Sequence, residues 1–138
     1  MSLTEILASH QQRLTTPRKA VFTALEQSST PLSIQQLIAR CPTINRTSIY
    51  RSLSLFTRLG IVSVVHVGWK QRYELAEPFA PHHHHLQCTQ CHRIIDIETP
   101  ELEQLITAIS RRYHFQPTDH HFEIHGRCQA CQRKTNTN

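Results

Sequence analysis

Two Cys-x-x-Cys pairs, Cys88/Cys91 and Cys128/Cys131, stand with 36 residues between them, and no other feature constrains the fold so tightly. Each pair lets two thiolates converge on one ion from a tight knuckle. Two pairs close a tetrahedral shell, so both ends of the segment must meet at one point. Disulfides are one alternative, disfavoured in a cytosolic chain; a redox Cys-x-x-Cys is the other, and it needs only one pair. Structural zinc is the reading that uses all four sulfurs. Cys41 falls on an apolar helix position and reads as a small buried hydrophobe.

Charge divides the chain. Residues 1–76 hold nine Lys and Arg against three acids, a net +6, whereas residues 77–138 hold six against seven. Nine of the eleven histidines lie in the second part. A basic half suits a polyanion, and a Cys/His-rich half suits a metal. The 138 residues suffice for one domain or two small ones. No run of about 18 apolar residues is present, and the N-terminus lacks the basic-then-apolar order of a secretory signal. The expectation is a cytoplasmic protein with no membrane partner.

In the basic half, Thr16 is placed as the N-cap of a helix with Pro17 at its first position, carrying Val21, Phe22 and Leu25. A second helix starts at Ser33, with Ile34, Leu37, Ile38 and Cys41 on one stripe, and ends at Cys41-Pro42. A third runs from Arg46 to Leu59 and stops at Gly60. Helix, short turn, helix is the helix-turn-helix pattern. Thr47, Ser48, Tyr50 and Arg51 lie near the start of the last helix, off its apolar stripe, where such a helix offers side chains to bases. Arg51 can reach guanine O6 and N7 with both arms of its guanidinium. A merely solvated helix face is the plain alternative, and the helix-turn context weighs against it. A hairpin follows: strand Ile61–Val67, a four-residue turn at 68–71, and strand Arg72–Leu75. Three helices and a two-stranded wing make a winged helix. Lys70 and Arg72 would meet phosphates, which position without reading sequence. Trp69 is equally suited to covering the wing's own apolar face.

Residues 77–81, with two prolines, read as a stiff hinge between a domain at 1–76 and one at 82–138. Four histidines, His82 to His85, then begin a strand, and alternation would send His82 and His84 to one face and His83 and His85 to the other. One run can therefore serve two metal sites. A strand (93–98), a helix with Thr99 as cap and Pro100 first, and a strand (118–125) follow. The helix is expected to turn Leu102, Leu105, Ile106 and Ile109 inward. The expected fold class is α+β: a winged helix-turn-helix domain plus a small C-terminal α/β domain with a four-cysteine zinc site. Imidazoles clustered with Asp96, Glu98, Glu101 and Glu103 point to at least one further divalent metal, zinc, iron(II) or manganese(II).

These pieces resemble the ferric uptake regulator (Fur) family of metal-responsive repressors over nearly the whole chain. The matching stretches are Arg13-Leu14-Thr15-Thr16-Pro17-Arg18, Thr47-Ser48-Ile49-Tyr50-Arg51-Ser52-Leu53, Gly60-Ile61-Val62, and His82 through Cys91 with the closing Cys-x-x-Cys. The resemblance implies a homodimer joined through the C-terminal domain and metal-gated binding to a palindromic operator in double-stranded DNA. It assigns Tyr50 and Arg51 to base contacts, Arg13 to the minor groove, and Arg18 to the same DNA-binding set. Cys88, Cys91, Cys128 and Cys131 match its structural zinc. His82, His84, Glu103 and His120 match a site inside the dimerisation domain, where His84 replaces a common aspartate. Glu74, His83 and His85 match the regulatory site, and Asp96 a ligand used in some branches.

Several positions depart from the family. Thr30-Pro31-Leu32 stands where many members have a regulatory histidine, which leaves the fourth ligand to His66, Glu77 or Asp96. No cysteine precedes the histidine run, as it often does in zinc-type members, and His92 replaces a usual small residue. The function implied is a metal-dependent repressor of metal homeostasis, sensing zinc by ligand preference or iron(II) by membership at large, with a peroxide sensor of the same family as the alternative. A metal-dependent hydrolase would need an open coordination position beside a poised acid or base. A metal store would need no recognition helix.

Overall fold

The computed structural model describes residues 1–135, and the chain divides into two units between Pro81 and His82. In the first, a short helix α1 (Leu3–Ser9) precedes the three expected ones. Its periodic stretch is too short to register as a stripe, yet a signal exists. Ser2 and Glu5 form a reciprocal capping box, and Leu3 and Leu7 are buried. Helix α2 (Thr16–Glu26) takes Thr15 rather than Thr16 as its N-cap. Pro17 is tolerated one place further in, because the first-turn amides have no intrahelical acceptor.

Helix α3 (Ile34–Arg40) opens on a second capping box, Ser33 with Gln36. Helix α4 (Arg46–Arg58) is capped by Asn45, whose Oδ1 accepts from the Ser48 amide at 2.8 Å. Ile49, Leu53 and Phe56 bury its apolar stripe as the periodicity predicts. Phe56 and Phe22 meet edge to face with centroids 6.5 Å apart. Gly60, at φ +70°, ends the helix in the left-handed conformation that favours glycine.

Strands β1 (Val62–Val67) and β2 (Lys70–Leu75) pair antiparallel, with Val62 opposite Leu75 and Val67 opposite Lys70. The loop is therefore two residues, Gly68-Trp69, not the four expected. Gly68 at φ +63°, followed by a residue with negative φ, is the first central position of a type II′ turn, whose twist suits a tight hairpin. Leu32 bridges to Tyr73 through two 2.8 Å backbone hydrogen bonds, fixing the wing to the segment that leads into α3. The expected hinge packs onto this unit: Phe79 lies 4.9 Å from Phe22, ring to ring.

The second unit follows the expected β-β-α-β order with one addition. Strands β3 (His84–Cys88) and β4 (Ile94–Ile97) run antiparallel, helix α5 (Pro100–Arg112) follows, and β5 (Glu123–Gly126) returns parallel to β3. The sheet order is β4-β3-β5. A final helix α6 (Gln129–Thr135) carries Cys131 and was not anticipated from sequence. Strand β3 starts at His84 rather than His82, since β4 offers no partner beyond Ile97. The predicted strand at 118–125 shrinks to β5 because Asp119 Oδ1 takes the His120 amide at 2.8 Å, a local turn in place of a ladder.

Helix α5 does not bury its apolar residues as expected. None of its described side chains is buried, and Leu105 and Ile109 are 55% and 44% exposed. One helix over three short strands leaves much of its own stripe uncovered. No helix among the described residues is long and apolar enough to cross a membrane.

Candidate metal centres and nucleic-acid interface

The four cysteine sulfurs lie within 4.8 Å of one another, with Cys91 Sγ 3.7 Å from Cys128 Sγ. Thiolates bound tetrahedrally to zinc at about 2.3 Å stand about 3.8 Å apart, so the cage has the size zinc requires. Backbone amides shape it. The Cys128 and Cys91 N–H groups point at Cys88 Sγ from 3.4 and 3.5 Å. They draw the Cys88 thiol down to about 5, Cys128 first. The adjacent Cys128 sulfur and then burial push Cys131 up to about 12. Four sulfurs this close cannot all be thiolates unless a cation sits among them, which is the donor set of a structural zinc site.

His92 closes the cysteine knuckle. It adopts φ +61° directly after Cys91, and its N–H donates to Cys88 O at 2.9 Å, closing the knuckle in a left-handed turn that histidine tolerates better than most side chains.

The histidine run splits as alternation predicts, although its first two residues precede the strand. His82 and His84 converge with His120 on one carboxylate oxygen, Glu103 Oε1, at 3.3, 2.7 and 3.2 Å. His82 Nε2 and His120 Nε2 are 3.0 Å apart. Nitrogens sharing a tetrahedral zinc stand about 3.3 Å apart, close to this spacing. The His84 hydrogen bond leads in holding the Glu103 carboxyl below its ordinary range. Three nitrogens and one oxygen aimed at a common point suit zinc, and also iron(II) or manganese(II).

On the other side, His83 and His85 rings meet edge to face at 4.9 Å. Asp96, the β4 residue opposite His85, places Oδ1 3.5 Å from His85 Nε2 and 4.0 Å from His83 Nε2. Of the three candidates for a further ligand, Asp96 stands with these histidines. His66 and Glu77 are exposed residues of the first unit. Glu74 lies half-buried on β2 opposite Ser63. Pro31 is fully buried and Leu32 is 1% exposed, so the segment that lacks the family's histidine serves the core.

In the first unit, Thr47, Tyr50 and Arg51 are exposed on α4, with Tyr50 at 53%, and Ser48 is half-buried. Lys70 is exposed on the wing and Arg13 ahead of α2. Arg18 is half-buried, and its guanidinium donates to Arg13 O and, at 3.0 Å, to Gln12 Oε1. It shapes the loop that presents Arg13, a role that spacing alone does not reveal. Trp69 does not cover the wing: it is 97% exposed.

A winged helix with a basic recognition face, in one chain with a zinc cage and two histidine–carboxylate clusters, defines a metal-responsive DNA-binding regulator. The ferric uptake regulator family profile matches residues 9–125. The chain is 34% identical to the ferric uptake regulation protein of Bacillus subtilis (strain 168), over 93% of this chain and 91% of that protein. It is 33% identical to the peroxide-responsive repressor PerR of Staphylococcus aureus (strain USA300), over 96% and 93%. Among solved structures, a zinc-bound manganese uptake regulator matches with a TM-score of 0.65 and 28% identity, covering 93% of this chain and 99% of that one. The chain belongs to the ferric uptake regulator family, and its function is that of a metal-dependent transcriptional repressor.

Proposed function

We propose that this protein is a cytoplasmic homodimer that binds a palindromic operator when its histidine clusters hold metal, and that zinc is the metal sensed. The split of the histidine run onto two faces carries the reading. His83, His85 and Asp96 are the regulatory ligands of the C-terminal unit, with Glu74 a further ligand that the resemblance of its sequence context to the family implies. His82, His84, Glu103 and His120 support the C-terminal unit itself. A nitrogen-rich donor set favours zinc by ligand preference.

A divalent cation held by the regulatory ligands would supply the binding energy that favours the DNA-competent population. The chain's own residues do the rest. Leu105, Ile109 and Tyr113, exposed on and just after α5, offer the apolar surface through which two copies join. Arg51 and Tyr50 read base edges, and Lys70 and Arg13 hold the backbone. Two reading heads fit successive major grooves only about 34–36 Å apart, or at a multiple of it. Ligation favours the population with that separation.

The test is retardation of duplexes enriched from a randomised pool, with protein that keeps its structural zinc but is stripped of metal at the histidine clusters, and each of zinc, iron(II) and manganese(II). Zinc-dependent retardation supports the reading. Retardation with iron(II) that peroxide abolishes would favour the peroxide-sensing alternative, which the PerR relative supports. Duplex binding unaffected by any metal would defeat both.

A further inference from the structure

The chain contains one tryptophan, Trp69, at the outer end of the wing. It is 97% exposed, more than Met1 at 81% or Tyr113 at 71%, and more than any other large hydrophobic among the described residues. Its backbone is nevertheless held in place. Gly68 and Trp69 form the whole loop, closed by the pairing of Val67 with Lys70. Val67 is buried right up to the turn, so the hairpin is anchored to its last residue. Five residue steps from the Val62–Leu75 pair put the tip about 17 Å out from the core end of the wing. A stiff arm thus presents the chain's largest side chain to solvent.

The surroundings narrow what such a ring can meet. Lys70 follows it directly, and Arg72 shares the face of β2 on which Lys70 lies. Residues 1–76 carry a net +6. A cationic arm with an aromatic tip suits a polyanion that has apolar walls. The minor groove of a duplex is one: about 6 Å wide, it is walled by deoxyribose and admits a ring edge-on. Its floor differs by base pair. A·T pairs present only acceptors, whereas G·C pairs add the guanine N2 donor. The indole N–H is a donor with no acceptor of its own. It matches A·T pairs and collides with the guanine amino group.

We propose that Trp69 is a minor-groove contact, entering the groove beside the half-site read by α4 and selecting A·T pairs there. The proposal rests on the DNA-binding reading above and adds a specificity determinant outside the recognition helix. Side-chain donors read A·T against G·C on the minor-groove floor in this way, and Lys70 supplies the neighbouring phosphate contact.

The zinc-loaded full chain and its Trp69→Ala variant are each used to select duplexes from the same randomised pool. The wild type should enrich A·T pairs flanking the half-site, and Trp69→Ala should enrich the same half-site without that flank. Replacing the flanking pairs by G·C should weaken wild-type binding at least about fivefold per pair. Inosine·C, which lacks the minor-groove amino group, should restore it. Because Trp69 is the sole tryptophan, its emission should shift to the blue and become shielded from acrylamide when the duplex saturates. Equal flanks in the two selections, or inosine·C behaving as G·C, would overturn the proposal. So would an emission unchanged by a duplex whose binding is seen by labelled-DNA anisotropy. An emission that shifts with protein concentration alone would place Trp69 between copies of the chain and overturn it too. If the wild type selects no duplex, the DNA-binding reading fails first, which the anisotropy distinguishes. Nothing packs on Trp69, so its variants should keep the wild-type melting temperature.

Discussion

His84 Nε2 lies 2.7 Å from Glu103 Oε1, joining a strand residue that is 3% exposed to the first turn of helix α5. Since α5 buries none of its described side chains, this polar contact is one that joins helix to sheet. It also gives the metal-free protein a pH dependence. Glu103 is held below its ordinary value of 4.5, first by His84, so the unfolded chain binds that proton more tightly than the folded one. The stabilisation is present above about pH 4.5 and is lost as pH falls through the depressed folded value. Urea midpoints of protein without metal at the histidine clusters, measured from about pH 5.5 to about pH 3.5, should fall less steeply for Glu103→Gln than for the wild type.

Cys128→Ser should yield a zinc-poor, destabilised and largely monomeric protein. It removes one of four sulfurs that tie the end of β3 to α6, and metal affinity here is folding free energy. Zinc analysis with sedimentation checks this; full zinc content in an intact dimer would defeat the assignment.

Arg51→Ala should cost about 1–3 kcal/mol on a selected operator and relax preference at one position, as for a lost bidentate guanine contact. Lys70→Ala should weaken specific and random duplexes alike and flatten the salt dependence. Equal losses on both kinds of DNA for Arg51→Ala would reduce Arg51 to a phosphate contact.

A double change of His83 and His85 to Ala should leave a folded dimer whose DNA affinity no longer rises with zinc. The corresponding change of His82 and His84 should mainly lower stability. Titration of DNA binding against free zinc separates them, and the opposite pattern would exchange the roles of the two faces.

Leu105→Glu should give a folded monomer. The residue is 55% exposed in the single chain, so the change costs the protomer little while placing a charge on the proposed dimer surface. Sedimentation and circular dichroism check the two halves of that outcome; a stable dimer would move the interface elsewhere.

Sequence alone determined what depends on short-range rules. The helix-turn-helix follows from caps and apolar spacing, which act within a few residues. The cysteine cage follows because four thiolates in two knuckles have few other uses. The two faces of the histidine run follow from strand alternation, which holds through His82 and His83 although the ladder begins at His84. What tertiary structure decided are the places where partners lie far apart in sequence or backbone competes with side chain. Asp96 joined His83 and His85 because β4 aligns it opposite His85, a register no local signal encodes. Arg18 became a brace for the Arg13 loop, and the apolar stripe of α5 stayed open because three short strands cannot cover it. Trp69 stood clear of the wing because a two-residue turn leaves its ring beyond the last strand pair. Hydrophobicity states that a side chain gains by burial; only the assembled chain decides whether anything is there to bury it.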